Sequence, residues 1–301
     1  MFVRQFGDVR GDSMPKGGRP DKGGGGNDDG GDSGGGDALD LDAIAAKKKF
    51  KTFFDQPATG EEPVPWFDFR DSRSAITAQG SDQTEVITLS EYDDTVDMAG
   101  GDDYVLGNLG NDTLLGGDGN DYIWGETDGG FNGIDLSGAS PSVGVDGNDS
   151  ISGGAGNDEL FGDARTLGPG AIGGNDVISG GDDNDLISGD GEYLYAATGG
   201  NDTIEGGAGN DLLWGDGVLD DASTGGADVF VFKDGSGDDV IFDYESGVDV
   251  IDLTGYSDPS VSGADLAVSG GDKVLTLSGG DTITFYDAVA QGLDFDDITF
   301  A

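Results

Sequence analysis

From about residue 90 the apolar positions recur with a period that belongs neither to a helix nor to an isolated strand. An aspartate, any residue and then a large apolar residue return every nine positions, at Asp94, Asp103, Asp112 and Asp121. After a gap the same nine-residue step joins Asp149 to Asp158, Asp176 to Asp185, and Asp202 to Asp211. Asp228 and Asp239 close the series. Each unit divides into a Gly/Asn-rich turn and a three-residue strand in which only the middle side chain points inward. The inward set is Val96, Val105, Leu114, Ile123, Ile151, Leu160, Ile178, Ile187, Ile204, Leu213, Phe230 and Ile241. This pattern predicts a thin core between two parallel sheets. Two units make one coil, so turns eighteen residues apart stack on the same edge.

Stacking brings the aspartates of one edge together, and their charges must be neutralised. Calcium suits them: it takes six to eight oxygens, from carboxylates and backbone carbonyls. Magnesium demands a stricter octahedron and retains water. Copper and zinc favour nitrogen and sulfur ligands, and the chain has no His or Cys.

The turns read GGDGND, GGAGND, GGDDND and GGND. With the strand residues they form G-G-x-G-x-D-x-U-x, U being apolar. Over roughly residues 90–242 the chain therefore resembles the RTX, or haemolysin-type, calcium-binding family. The resemblance implies an all-β fold, a parallel β-roll solenoid. It also implies that each ion sits between stacked turns, held by glycine-turn carbonyls and sixth-position carboxylates. One edge would carry Asp103, Asp121, Asp158, Asp185, Asp211 and Asp239; the other Asp94, Asp112, Asp149, Asp176, Asp202 and Asp228. Turn glycines expected at the metal are Gly117, Gly119, Gly154, Gly156, Gly181, Gly207 and Gly209. Five gaps per edge allow at most about ten ions.

Insertions fall only on the second edge, roughly at Glu126–Val145, Asp163–Gly173, Asp190–Gly199 and Asp216–Gly226. That edge is expected to hold fewer ions. Each insertion opens with an acid, Glu126, Asp163, Asp190 or Asp216, which serves either as an extra ligand or as a solvated loop carboxylate. On the strands entering the insertions, Trp124, Phe161, Ser188 and Trp214 point outward. The three aromatics make a sugar-stacking platform, and so a glycan or surface partner, unless the insertions fold over them. The insertions' own apolar residues, among them Phe131, Ile134, Leu136, Leu167, Leu194 and Leu219, favour covering.

The 61 acids against 14 basic residues leave a formal charge of −47. That charge excludes a nucleic-acid partner. Without His or Cys, Ser-His-Asp and Cys-His catalysis are excluded. The motif H-E-x-x-H of serralysin-type proteases and the triad of RTX lipases are absent, and the expected answer is no enzyme. A carbohydrate-active enzyme or glycan-binding module on the roll, and a small effector or toxin, are the alternatives. No run is long enough for a membrane span. Neither is there an N-terminal apolar stretch of the secretory type.

Residues 1–37, rich in Gly and Asp, read as a disordered tail. Residues 38–90 read as a short helix over 39–54 and an extended lead-in, and 91–242 as the roll. Residues 243–301 read as a C-terminal β cap, with three strands in LAVSGGDKVLTLSGGDTITFYD. The region after the roll resembles that of type I-secreted exoproteins such as serralysin-type proteases. By resemblance the tail GLDFDDITFA is an uncleaved C-terminal signal read by type I secretion machinery, which makes the protein secreted and extracellular. Calcium would then order the chain only after export.

Overall fold

A three-residue strand gains little alone, and stability comes from stacking many of them over one core. The computed structural model describes residues 39–40, 64–126, 145–258, 260–262 and 265–301, all within one compact unit, Asp37–Ala301. Successive strands alternate between two sheets. The first has ten strands, all parallel, including Thr95–Asp97, Thr113–Asp118, Ser150–Ala155, Val177–Asp182, Thr203–Ala208 and Val229–Lys233. The second has eleven, including Tyr104–Leu106, Tyr122–Trp124, Glu159–Phe161, Leu186–Ser188, Leu212–Trp214 and Asp238–Ile241. Repeats pair in register, so that Leu114, Ile151, Ile178 and Ile204 form one column and Ile123, Leu160, Ile187 and Leu213 the other. None of the twelve inward residues is more than 2% exposed. The β-roll is thus the fold of this chain.

The roll begins before residue 91. Trp66–Asp68 and Val86–Thr88 join the second sheet, and Thr77–Gln79 joins the first. These lead-in triplets lack the glycine turns but keep the central apolar residue: Phe67, Ala78 and Ile87 are all buried. The core requires only that inward residue from each strand. The helix expected over 39–54 is not formed at its start, because Leu39–Asp40 is a strand parallel to Ala78–Gln79. Residues 41–54 and the tail 1–37 lie outside the described residues.

The ladder also continues past residue 242. Val250–Gly255 and then Thr299–Phe300 extend the first sheet. In the second sheet Thr282–Phe285 lies parallel to Asp238–Ile241, and Asp272–Thr276 and Leu266–Ser269 add antiparallel strands. These are the three strands expected of the cap. Chain reversal at the Gly-Gly-Asp turns ends the parallel stacking.

The insertions build a structure of their own. Thr166–Leu167, Tyr193–Leu194 and Val218–Leu219 form a separate three-stranded parallel sheet. Leu167, Ala171, Leu194 and Ala197 pack into a second small core, with Leu219 against it. The last three insertions differ in length by only one residue, which lets each loop repeat its neighbour's shape one coil on.

Candidate metal centre

Each repeat aspartate except Asp239, which lies within its strand, directly precedes its strand, and this places its carboxylate between two stacked turns. Along one edge the backbone N–H of each aspartate donates to Oδ1 of the next: Asp103 to Asp121 at 2.8 Å, Asp121 to Asp158 at 2.7 Å, and Asp158 to Asp185, Asp185 to Asp211 and Asp211 to Asp239 at 2.9 Å. The other edge repeats this from Asp94 through Asp112, Asp149, Asp176 and Asp202 to Asp228, at 2.7–2.9 Å. The two sequence-assigned edges are therefore the two ladders of the structure.

Only one oxygen of each carboxylate is used in this way. Oδ2 of Asp103, Asp121, Asp158, Asp185 and Asp211, and of Asp112, Asp149, Asp176 and Asp202, is buried without a hydrogen-bond partner. Such an oxygen costs the full desolvation of a charged acceptor unless something meets it. Its surroundings are further acceptors. A Cβ on Gly162 would lie 1.8 Å from the Gly189 carbonyl oxygen and 2.1 Å from Asp176 Oδ2. On the other edge a Cβ on Gly180 would lie 2.1 Å from Asp185 Oδ2 and 2.4 Å from the Gly206 carbonyl oxygen. Carboxylate and carbonyl oxygens converge with no donor between them, which is the arrangement of a hard-cation site. Among the described residues no three acids gather as an all-carboxylate cage.

Gly117, Gly154, Gly181 and Gly207 stack in register on the edge of Asp121. The Gly119 carbonyl oxygen abuts Gly156 on that edge, and the Gly209 carbonyl oxygen abuts Gly237.

Burial dominates the electrostatics. It pushes Asp103, Asp112 and Asp185 up to about 8, Asp121 and Asp239 to about 7, and Asp158 and Asp211 to about 6. Asp228 reaches about 9. Asp94, Asp149, Asp176 and Asp202 are raised for the same reason. Among the described residues no basic side chain pairs with them: Arg165 is the only basic residue between Arg73 and Lys233, and it pairs with Glu192.

Three features escaped the sequence reading. Asp249 extends the second ladder, accepting from the Asp228 N–H at 3.0 Å; it fits the aspartate-any-apolar pattern at an irregular spacing. Glu85 occupies the ladder position before Asp103 and donates its N–H to it at 2.7 Å. The fifth-position asparagines form exposed amide ladders, as where Asn184 donates its N–H to Asn157 and Asn210 to Asn184. A neutral amide both donates and accepts, so it stacks without repulsion.

The outward aromatics do not form an open platform at Phe161 and Trp214, which are 4% and 9% exposed. Phe161 stacks on Trp124 at 5.7 Å, and Trp214 on Phe242 at 4.1 Å. Ser188 interrupts the row, its single hydroxyl proton within reach of the carbonyls of Gly191 at 3.0 Å and Asp216 at 3.1 Å. Phe131, Ile134 and Leu136 lie outside the described residues. Leu167, Leu194 and Leu219 fill the insertions' own core.

Residues 79–114, 97–131, 143–164, 173–192 and 196–218 match the RTX calcium-binding nonapeptide repeat. The chain carries RTX repeats. These imply binding of Ca2+, and the matched segments take in ten of the twelve repeat aspartates, all but Asp228 and Asp239. Among solved structures, the AlgE6R3 subunit of the mannuronan C5-epimerase from Azotobacter vinelandii is similar at 22% identity. That match covers 57% of this chain and 85% of that one, with a TM-score of 0.29. Extracellular lipase LipA from Serratia marcescens is similar at 16% identity, covering 79% of this chain, with a TM-score of 0.28; the match spans 42% of the lipase. No curated protein matches the chain in sequence. No helix among the described residues is long and apolar enough to cross a membrane.

Proposed function

We propose that this is a secreted calcium-binding protein whose roll folds on calcium after export, and that it acts as a non-enzymatic component of an extracellular matrix or surface. The observation that carries the reading is the set of buried Oδ2 atoms without partners, seven of which, those of Asp112, Asp121, Asp149, Asp158, Asp176, Asp185 and Asp202, lie at a turn glycine beside a carbonyl oxygen of a neighbouring turn. The proposed ligands are the twelve repeat aspartates and the carbonyls of the glycine turns, Gly117, Gly119, Gly154, Gly156, Gly181, Gly207 and Gly209 among them. Extracellular sites of this chemistry bind at ~10⁻⁴–10⁻³ M, which keeps them empty in a cytosol.

Calorimetric titration of the calcium-free protein tests the assignment. Asp185→Asn keeps an acceptor for the Asp158 N–H but removes the charge. It should weaken the adjoining sites by at least the roughly 10–100-fold that outer-shell changes cost. An unchanged isotherm would remove Asp185 from the ligand set.

The export signal is assigned to the apolar-acidic tail. In cells carrying a type I exporter, a chain lacking residues 292–301 should remain inside while the full chain reaches the medium. Equal export of both would discard the assignment.

A further inference from the structure

The acids that open the insertions are not solvated. Glu126, Asp163, Asp190 and Asp216 are at most 2% exposed. Each reaches across its own loop to the glycine that closes it: the N–H of Gly174 donates to Asp163 at 3.0 Å, that of Gly200 to Asp190 at 2.9 Å and that of Gly226 to Asp216 at 2.6 Å. The preceding glycine leaves room for acids of two coils at once. A Cβ on Gly173 would lie 1.8 Å from Asp190 Oδ1 and 2.6 Å from Asp163 Oδ2. A Cβ on Gly199 would lie 1.9 Å from Asp216 Oδ1 and 2.4 Å from Asp190 Oδ2. Carboxylates of successive coils thus crowd one another along a continuous column.

Two oxygens in this column, Asp190 Oδ2 and Glu126 Oε2, are buried with no hydrogen-bond partner. Arg165, the only basic residue in the insertions, is engaged by Glu192. One proton on Asp190 could bridge it to Asp163 or to Asp216, not to both. A divalent cation between each pair meets both oxygens of Asp190.

We propose that Asp163, Asp190 and Asp216 form a second column of calcium sites, separate from the repeat ladder, in which each ion takes carboxylates from two successive insertions. This rests on the reading of the roll as calcium-binding. It reverses the expectation that the inserted edge holds fewer ions: insertions of matched length add carboxylates to that edge instead of only interrupting it.

Equilibrium dialysis of the full chain against saturating calcium, with metal analysis, tests it. Asp190→Asn should bind about two fewer ions than wild type, since Asp190 serves two neighbours. Asp182→Asn, an exposed acid at the end of the strand Val177–Asp182, should bind the wild-type number. Should Asp190→Asn not fold at saturating calcium, Asp216→Asn is measured in its place, with a loss of at least one ion expected. An unchanged ion count in the folded variant overturns the second column and leaves the ladder standing. A wild-type chain that binds no calcium overturns both.

Discussion

Chelating calcium from the folded protein at pH 7.5 is expected to abolish its strand signal in circular dichroism, and returning calcium is expected to restore it. An ion that binds only the folded state contributes about 2.7 kcal/mol at a hundredfold excess over Kd. Four such sites therefore contribute about 11 kcal/mol, comparable with the whole 5–15 kcal/mol stability of a typical domain. Removing the ions also leaves buried, mutually repelling carboxylates on both edges. A calcium-free chain that keeps its strand signal at pH 7.5 would defeat the reading. The same chain should regain part of that signal on acidification to about pH 5. Folding raises the ladder aspartates from near 4 to about 6–9, so between those values the folded state binds more protons than the unfolded one. Linkage then makes calcium-free stability fall as pH rises through that window and grow as pH drops.

Replacing Gly154 with alanine should destabilise the calcium-loaded roll by about 2–6 kcal/mol, combining backbone strain with overpacking. Its φ is 118°, outside what side chains of L residues adopt easily. Its Cβ would lie 2.0 Å from the Gly117 carbonyl oxygen of the preceding coil, which strand pairing holds in place. Gly280 is the control: φ is 100°, but a Cβ there meets nothing within 4 Å. Denaturant unfolding in calcium should show Gly280→Ala losing only the strain. Equal losses at both positions would mean that the close approach of the turns contributes nothing.

Much of the site was legible because its geometry is a function of spacing. Once Asp121 and Asp158 take the same place in a repeat, register alone puts one carboxylate above the other. Asp249 was overlooked because it follows Asp228 by 21 residues, outside the 9- and 26–27-residue rhythm, although its strand pairs in parallel with Val229–Lys233, with a register shift between Val231 and Lys233. Glu85 was overlooked because its turn, Gly80 to Thr84, keeps only one glycine and a glutamate stands where the repeat has aspartate. The lead-in strands lacked both markers and retained only a buried Phe67, Ala78 and Ile87.

What the chain order of residues determined by itself was the repeat: which side chains point inward, which aspartates share an edge, and that a hard cation must balance them. These depend on local period and on charge, both visible in one dimension. The fate of the insertion acids was decided only by the tertiary structure. Asp163 and Asp190 are separated by a full coil and flanked by loops without nonapeptide pattern. Only the stacking of those loops into their own sheet brings the two carboxylates, buried, to either side of Gly173. Trp214 follows the same logic: its sequence position points it outward, and its burial comes from Phe242, a neighbour supplied by the next coil.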